Sequence, residues 1–300
     1  MNADSIQVTP RIRRIGRGMV NSYLVEDAGE VTIVDAGAPA YWGQLPTELA
    51  QVRFNSGQDV VPYFEGWLRN PDGTFDLVFG YFNRNWKEEL TIPPGPENNV
   101  DPGGPDAGQP THFLPRRQRW IYRLRVPADF GNREVTWTLS AHGRTEKAYG
   151  NLLPAEEITE RVVSSNGNFD PGEGDPNEPP SIRIAPVQNA TVTAPLTLSA
   201  SVSDDGLPKP RPVRTPRTPS SPFGAQVNTN ETRRSQGLTV RWLQYGGPAK
   251  VSFDATDPIK VVNGQAVTQA HFTEPGTYRL RAIASDGALS TTTEIVIRVK

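Results

Sequence analysis

Three hundred residues accommodate two domains, because a single core of that length is unusual outside large β folds, and the net charge of -2 gives no electrostatic case for nucleic acid as a partner. The chain has no cysteine, which excludes a disulfide framework, thiolate metal sites and thiol catalysis. With 29 Pro and 27 Gly and a hydrophobic content of 36%, it favours many short strands joined by turns over long helices.

Residues 1–50 read as two strands, a turn and a short helix. RIRRIGRGMVNSYLVED leads through a DAGE turn into VTIVDAG, and YWGQLPTELAQ follows as a helix with Pro46 in its first turn, where a missing N–H costs little. The opening MNADSIQVTPRIRRIG has basic residues but no apolar stretch behind them, so it encodes no signal peptide. No apolar run approaches the roughly 18 residues of a membrane span, and no membrane insertion is expected.

Residues 58–153 are strand-rich and predict a β-sandwich. NPDG at 70–73 separates FEGWLR from TFDLVFGYFN, a tight-turn hairpin signal, and Phe75, Leu77, Phe79 and Tyr81 share one face of the second strand. WIYRLRV sets Trp120, Tyr122, Leu124 and Val126 opposite Arg123 and Arg125. EVTWTLS aligns Val135, Trp137 and Leu139 in the same way. Such alternation marks antiparallel strands with one face on a core and one face wet. Residues 92–110, IPPGPENNVDPGGPDAGQP, are too rich in Pro and Gly to predict regular structure.

Residues 154–180 form a linker. Its SSNGNFDPGEGDPNEPP portion carries four acids and no base, and predicts an extended, mobile segment. Residues 181–300 return to strands, with Leu196, Leu198, Ala200 and Val202, and later Tyr278, Leu280, Ala282 and Ala284, alternating inward. A basic, Pro-rich insertion at 207–237 interrupts them and predicts polyproline II or disorder. Its composition suits an SH3-type groove or an anionic polymer, but a solvated excursion is the simpler expectation. The expected fold class is mainly β, two β-sandwich domains with a short N-terminal ββα fragment.

Two family resemblances add to this. VNSYLVEDAGEVTIVDAGAP, within residues 12–50, resembles the N-terminal start of the metallo-β-lactamase superfamily. That resemblance implies an αββα sandwich with a histidine-rich HxHxDH loop holding zinc or iron. Here the corresponding region, QVRFNSGQDVVPYFEGWLRNPDGTF, has no histidine, and Asp35 matches only a supporting position. Residues 181–300 resemble the Ig-like PKD-type repeats of bacterial surface and secreted proteins, through SVSDDGLP, LTVRWLQYGGPAKVSFD and HFTEPGTYRLRAIASDGALS. Such modules serve as spacers or as protein- and carbohydrate-binding units. Trp242 then falls on a central strand between two sheets, and Tyr278 suits a tyrosine-corner role. Residues 58–153 resemble uncharacterised β-rich regions of secreted bacterial proteins.

Candidate sites are few. Asp204, Asp205 and Asp286 lie in loops that an Ig-like order brings to one end of the sandwich, where carboxylates could supply hard oxygen ligands to calcium. Asp-Gly turn formation explains the same residues without a metal. Calcium is the one cofactor the sequence admits. Tyr63, Trp67, Phe82 and Trp86 cluster at the first hairpin and form a candidate aromatic patch for a carbohydrate or protein partner, unless they pack between sheets. His112, His142 and His271 form no HxH pair, and Glu88–Glu89 and Glu156–Glu157 are read as structural or solvated.

The expected function is a non-catalytic binding or spacer protein of the bacterial cell envelope or exterior, periplasmic or extracellular. The alternative is a fragment or degenerate member of the metallo-β-lactamase-type hydrolases lacking its metal loop.

Overall fold

A computed structural model describes residues 54–168, 174–187, 190–209 and 237–300, together with the backbone of four strands between residues 6 and 34. These four are β1 (Ile6–Thr9), β2 (Ile12–Arg17), β3 (Val20–Asp27) and β4 (Glu30–Val34), an antiparallel meander in the order β1-β2-β3-β4. Two strands were expected. The first of them divides into β2 and β3, which pair from Arg17 opposite Val20 to Ile12 opposite Val25. The helix expected over YWGQLPTELAQ, residues 41–51, lies outside the described residues, as does most of the 207–237 insertion.

The NPDG turn closes the hairpin of β5 (Val60–Arg69) and β6 (Phe75–Asn83). Gly73 N donates to Asn70 O at 3.0 Å, and Gly73 adopts a φ of +84°, a conformation that costs glycine nothing sterically. The Asp72 carboxylate accepts from Thr74 N and Thr74 Oγ1, which holds its pKa below the usual range. Further strands are β7 (Leu90–Thr91), β8 (Asn98–Asp101), β9 (His112–Phe113), β10 (Arg116–Val126), β11 (Val135–Ala141) and β12 (Arg144–Gly150). They make sheets β10-β6-β5 and β12-β11-β8 and the small pair β7-β9.

The core between the sheets is largely aromatic. Trp137 is fully buried, edge-on to Phe79 at 6.0 Å and to Tyr122 at 5.7 Å, while Tyr81 meets Phe113 at 5.0 Å. Edge-to-face pairs of this kind add about 0.5–1.5 kcal/mol each beyond their burial. Val135, Trp137 and Leu139 all point inward as the alternation requires. β10 departs from its pattern: a bulge between Gln118 and Tyr122, with Trp120 at a φ of +56°, buries Ile121 and Tyr122 in succession. Trp120 therefore leaves the core face that simple alternation gives it.

The 92–110 segment contains regular structure after all. β8 pairs with β11, Val100 opposite Trp137, and the organising residue is Asn98. Its Nδ2 donates to Ile92 O at 2.9 Å and Pro110 O at 2.8 Å, and its Oδ1 accepts from Trp137 Nε1 at 3.0 Å. A buried amide thus satisfies backbone groups that Pro and Gly leave unpaired.

The C-terminal sandwich comprises β13 (Ser181–Ile184), β14 (Leu196–Ser203), β15 (Thr239–Gly246), β16 (Ser252–Phe253), β17 (Ile259–Lys260), β18 (Gln265–His271), β19 (Gly276–Ser285) and β20 (Ser290–Val299). Its sheets, β13-β14-β18-β16 and β17-β15-β19-β20, have the membership of an Ig-like sandwich. Leu198, Ala200, Tyr278, Leu280, Ala282 and Ala284 are fully buried, and Trp242 fills the space between the sheets. The Tyr278 hydroxyl donates to Glu274 O at 2.8 Å, the bond expected of a tyrosine corner.

Of residues 154–180, 169–173 lie outside the described residues, and the described remainder buries groups where its composition predicts none. It forms a short helix, α1 (Glu160–Ser164), capped by the Thr159 side chain, and Ser164, Ser165 and Asn177 are buried. Composition misleads here because hydrogen bonds, not apolar area, hold the segment. Ser164 Oγ donates to Ser290 O at 2.8 Å while Ser290 Oγ donates to Ser164 O at 2.9 Å, and Arg161 pairs with Asp175 at 3.1 Å.

The two sandwiches are docked. Tyr245 on β15 enters the core of the middle domain, its hydroxyl donating to Gly108 O at 2.8 Å, and Thr111 N donates to Tyr245 O at 3.1 Å. Arg281 lies over the Tyr245 ring at 4.4 Å and donates to Ile121 O at 2.6 Å.

Candidate functional site

The three histidines stand apart, each against its own carboxylate. His112 meets Glu89 at 3.0 Å, His142 meets Glu88 at 3.1 Å and His271 meets Asp254 at 2.7 Å. Among the described residues no three histidine, aspartate or glutamate side chains converge on a metal position. His112 also touches Thr91 at 3.2 Å, but Thr91 and His112 are directly opposed in the β7–β9 ladder, so this is a cross-strand pair. Glu157 pairs with Arg69 at 3.2 Å, a structural role for one member of the Glu156–Glu157 pair.

Glu89 joins the two domains: one oxygen meets His112 and the other accepts from Lys250 at 2.8 Å. The His112 hydrogen bond, with further help from Lys250 against the cost of burial, holds its carboxyl at a pKa of about 2, below the ordinary 4.5. A depressed carboxylate contributes stability above its unfolded pKa and loses it as pH falls through the folded value. Glu89→Gln should therefore cost about 1–2 kcal/mol at pH 7, discounted for its partial exposure. The gap to wild type should close as pH falls from 4.5 towards 2, which urea unfolding across that window checks.

Of the predicted aromatic patch, Trp67 belongs to the core. It is 3% exposed, and its Nε1 donates to Leu153 O at 2.8 Å. The reason is the bulge between Phe64 and Gly66, which shifts the alternation of β5 by one position. Tyr63 and Trp86 are 39% and 38% exposed, and Phe82 is half-buried beside them. Each of these three rings carries an arginine that the sequence did not single out. Arg116 lies 4.7 Å from the Phe82 ring and 4.5 Å from the Trp86 ring, and Arg117 lies 4.2 Å from the Tyr63 ring. Arg117 also holds Glu65 at 2.7 Å, packed over Gly80, where a Cβ would come within 2.5 Å of the Glu65 carboxylate. The available signal was the PRRQRW run on the strand paired with Phe82.

A groove of about 1330 Å³ runs along the joint between the domains, lined by seven arginines and three glutamates. Arg123 is bound bidentately by Glu160, Arg279 donates to Gly108 O, and Arg281 pairs with Glu294. Of these arginines, Arg279 and, through its bond to Ile121 O, Arg281 fasten the joint.

Asp204 lies near Asp205 and Asp286 at one end of the C-terminal sandwich, without the three converging on a metal position. Asp286 is buried, its Oδ1 accepting from Ala288 N and Leu289 N, and its Oδ2 accepting from Asn177 Nδ2 at 3.1 Å. Asp205 spends both oxygens on the backbone N–H groups of Glu178 and Leu207, the first of which does most to lower its pKa. Asp204 accepts from Gly206 N through Oδ2, while its Oδ1 is buried without a partner. Burial foremost, with the nearby charges of Asp286 and Asp205, raises its pKa. Asn177, which the sequence left in a mobile linker, completes the cluster.

Together these features define a mainly β protein in which an aromatic-cored sandwich is docked on an Ig-like one. Neither a protein-family profile nor a curated protein matches the chain. Among solved structures it is similar to a conjugative transposon lipoprotein of Bacteroides eggerthii, at 13% identity over 40% of this chain and 98% of that one, with a TM-score of 0.26. It is also similar to the D00-D0 domain of intimin, at 10% identity over 79% of this chain and 98% of that one, TM-score 0.24. A third is the Yersinia pseudotuberculosis adhesin InvE, at 11% identity over 79% and 58% of the two chains, TM-score 0.23. Likenesses this distant identify neither the fold nor the function. Nothing found supports the metallo-β-lactamase resemblance of residues 12–50.

Proposed function

We propose that this chain is a non-catalytic binding and spacer protein of the bacterial cell envelope or exterior, and that its partner is a carbohydrate bearing acidic groups. The observation that carries the reading is the face on which exposed Tyr63 and Trp86, with Phe82, are interleaved with Arg116 and Arg117. Aromatic rings offer apolar faces for sugar C–H groups, and guanidinium groups offer paired donors to carboxylate or sulfate. The docked sandwiches suit a spacer, because they hold that face at a fixed distance from the C-terminal end. The resemblance of residues 181–300 to repeats of bacterial surface proteins supports the compartment.

Binding of a soluble polyuronate, followed by tryptophan fluorescence and calorimetry against neutral dextran, tests the proposal. Trp86→Ala and Arg116→Ala should each weaken polyuronate binding about ten-fold, roughly 1.4 kcal/mol, and the arginine's contribution should fall as salt rises. Equal binding of dextran and polyuronate, or variants that bind as wild type does, would overturn it.

A further inference from the structure

Three segments converge where the chain enters the C-terminal sandwich: linker residues 175–178, the loop after β14 and the turn between β19 and β20. Asn177 Nδ2 donates to Asp286 Oδ2 at 3.1 Å, and the next residue, Glu178, donates its N–H to Asp205 Oδ2 at 2.9 Å. The linker is thus tied to both acidic loops at once. Arg161 of α1 secures its other side, donating to Asp175 Oδ2 and to Asn177 O, each at 3.1 Å.

Two oxygens in this cluster lack donors. Asn177 is 3% exposed, and its Oδ1 is buried with no hydrogen-bond partner. Asp204 Oδ1 is likewise buried and unpartnered. The amide orientation is fixed by chemistry, because turning it over would set Oδ1 against the Asp286 carboxylate. Buried acceptors without donors, beside a second buried carboxylate, are costly arrangements that natural structures keep for a reason. Water can satisfy an acceptor but cannot offset two clustered negative charges. A cation does both.

We propose that Asn177 Oδ1, Asp204 Oδ1 and the Asp286 carboxylate bind a calcium ion at the root of the C-terminal sandwich. The donor set is all oxygen, mixes one neutral amide with two carboxylates, and contains neither nitrogen nor sulfur, which suits a hard, flexible ion. Two carboxylates balance the charge of the ion. Asp205 is exposed, unlike the buried Asp286, and shapes the loop through the N–H groups of Glu178 and Leu207 without serving as a ligand. The site recruits one ligand from the linker and one from each of two loops, so calcium fixes the direction in which the C-terminal sandwich leaves α1.

The test uses the full chain, stripped with EDTA and titrated with calcium chloride alone or magnesium chloride alone, with calorimetry and thermal unfolding as readouts. One calcium per chain is expected, with a dissociation constant of about 10⁻⁴ M and a rise in Tm of about 5 °C at a hundred-fold excess. Asp204→Asn removes the unpaired charge while keeping the shape. It should unfold without calcium at the wild-type temperature or above, and its calcium response should vanish. Asn177→Ala should weaken calcium binding at least ten-fold. No binding or Tm rise with millimolar calcium, an equal response to magnesium, or an undiminished response in Asp204→Asn would each overturn the proposal.

Discussion

Asn98→Leu should destabilise the middle sandwich by about 3–5 kcal/mol, although the two side chains are close in shape. The substitution strips three hydrogen bonds from a fully buried position. It leaves the carbonyls of Ile92 and Pro110 and the Trp137 indole N–H unpaired, and each such group costs about 1–3 kcal/mol when sealed from water. Leucine recovers part of this by burying apolar area, which is why the expected sum lies below the arithmetic maximum. Asn98→Asp separates the terms. It keeps an acceptor for Trp137 but loses both donors and adds a buried charge, and should be at least as damaging. Urea unfolding reads both variants. A loss under about 1 kcal/mol for Asn98→Leu would mean that the 92–110 segment is held by something other than this amide.

That segment also shows where sequence reasoning stops. Strand cores were legible because period-2 alternation is a direct consequence of the pleat: Val135, Trp137 and Leu139, or Tyr278, Leu280, Ala282 and Ala284, are buried as their spacing requires. Asn98 was not legible, since an asparagine among prolines and glycines has the composition of a loop, and its partners at 6, 12 and 39 residues' distance follow no periodic pattern. Trp67 and Trp120 were misplaced for a different reason. In β5 a bulge inserts one residue and turns Trp67 to the other face. In β10 the irregularity sets four steps, Gln118 to Tyr122, against two, Tyr81 to Phe79, and displaces Trp120 while Tyr122 and Val126 keep their buried face. In the described part of the linker acidity does not mean solvation, because Asp175 and Asn177 serve as fasteners. Of the candidate site, Asp204 and Asp286 were legible through the Ig-like loop order that brings their loops to one end, but Asn177 has no local signal.

The docking of the two sandwiches did leave a trace. LTVRWLQY carries apolar residues on both faces, Val240 and Trp242 on one, Leu243 and Tyr245 on the other, and all four are buried. A strand apolar on both faces is covered on both faces. In β15 the second cover is the middle domain, whose core Tyr245 joins.

Arg281→Met should uncouple the domains. The Arg281 side chain is 9% exposed, donates to Ile121 O at 2.6 Å and to Glu294 at 2.5 Å, and stacks on Tyr245. Without it, Ile121 O loses a charged donor and Glu294 loses its nearest partner. Breaking a buried ion pair typically costs 3–5 kcal/mol. The lower end, about 3 kcal/mol, applies here because the Glu294 side chain keeps 32% of its surface in water and still has Arg279 at 3.8 Å. The bond to Ile121 O crosses the joint, whereas the Glu294 pair lies between β19 and β20 of the C-terminal sandwich, so the loss is shared between the joint and that sandwich. The docked pair is expected to unfold in one transition, which in the variant should split into two, and protease should gain access to residues 174–180. Pairing Arg281→Met with Glu294→Gln should recover part of the loss, since no carboxylate is then left without its partner. Tyr245→Phe, which removes only the hydroxyl bond to Gly108 O, should cost about 1 kcal/mol and leave one transition. If Arg281→Met kept a single transition at the wild-type midpoint, the joint would depend on Tyr245 and its apolar surroundings, and the arginine would be a bystander.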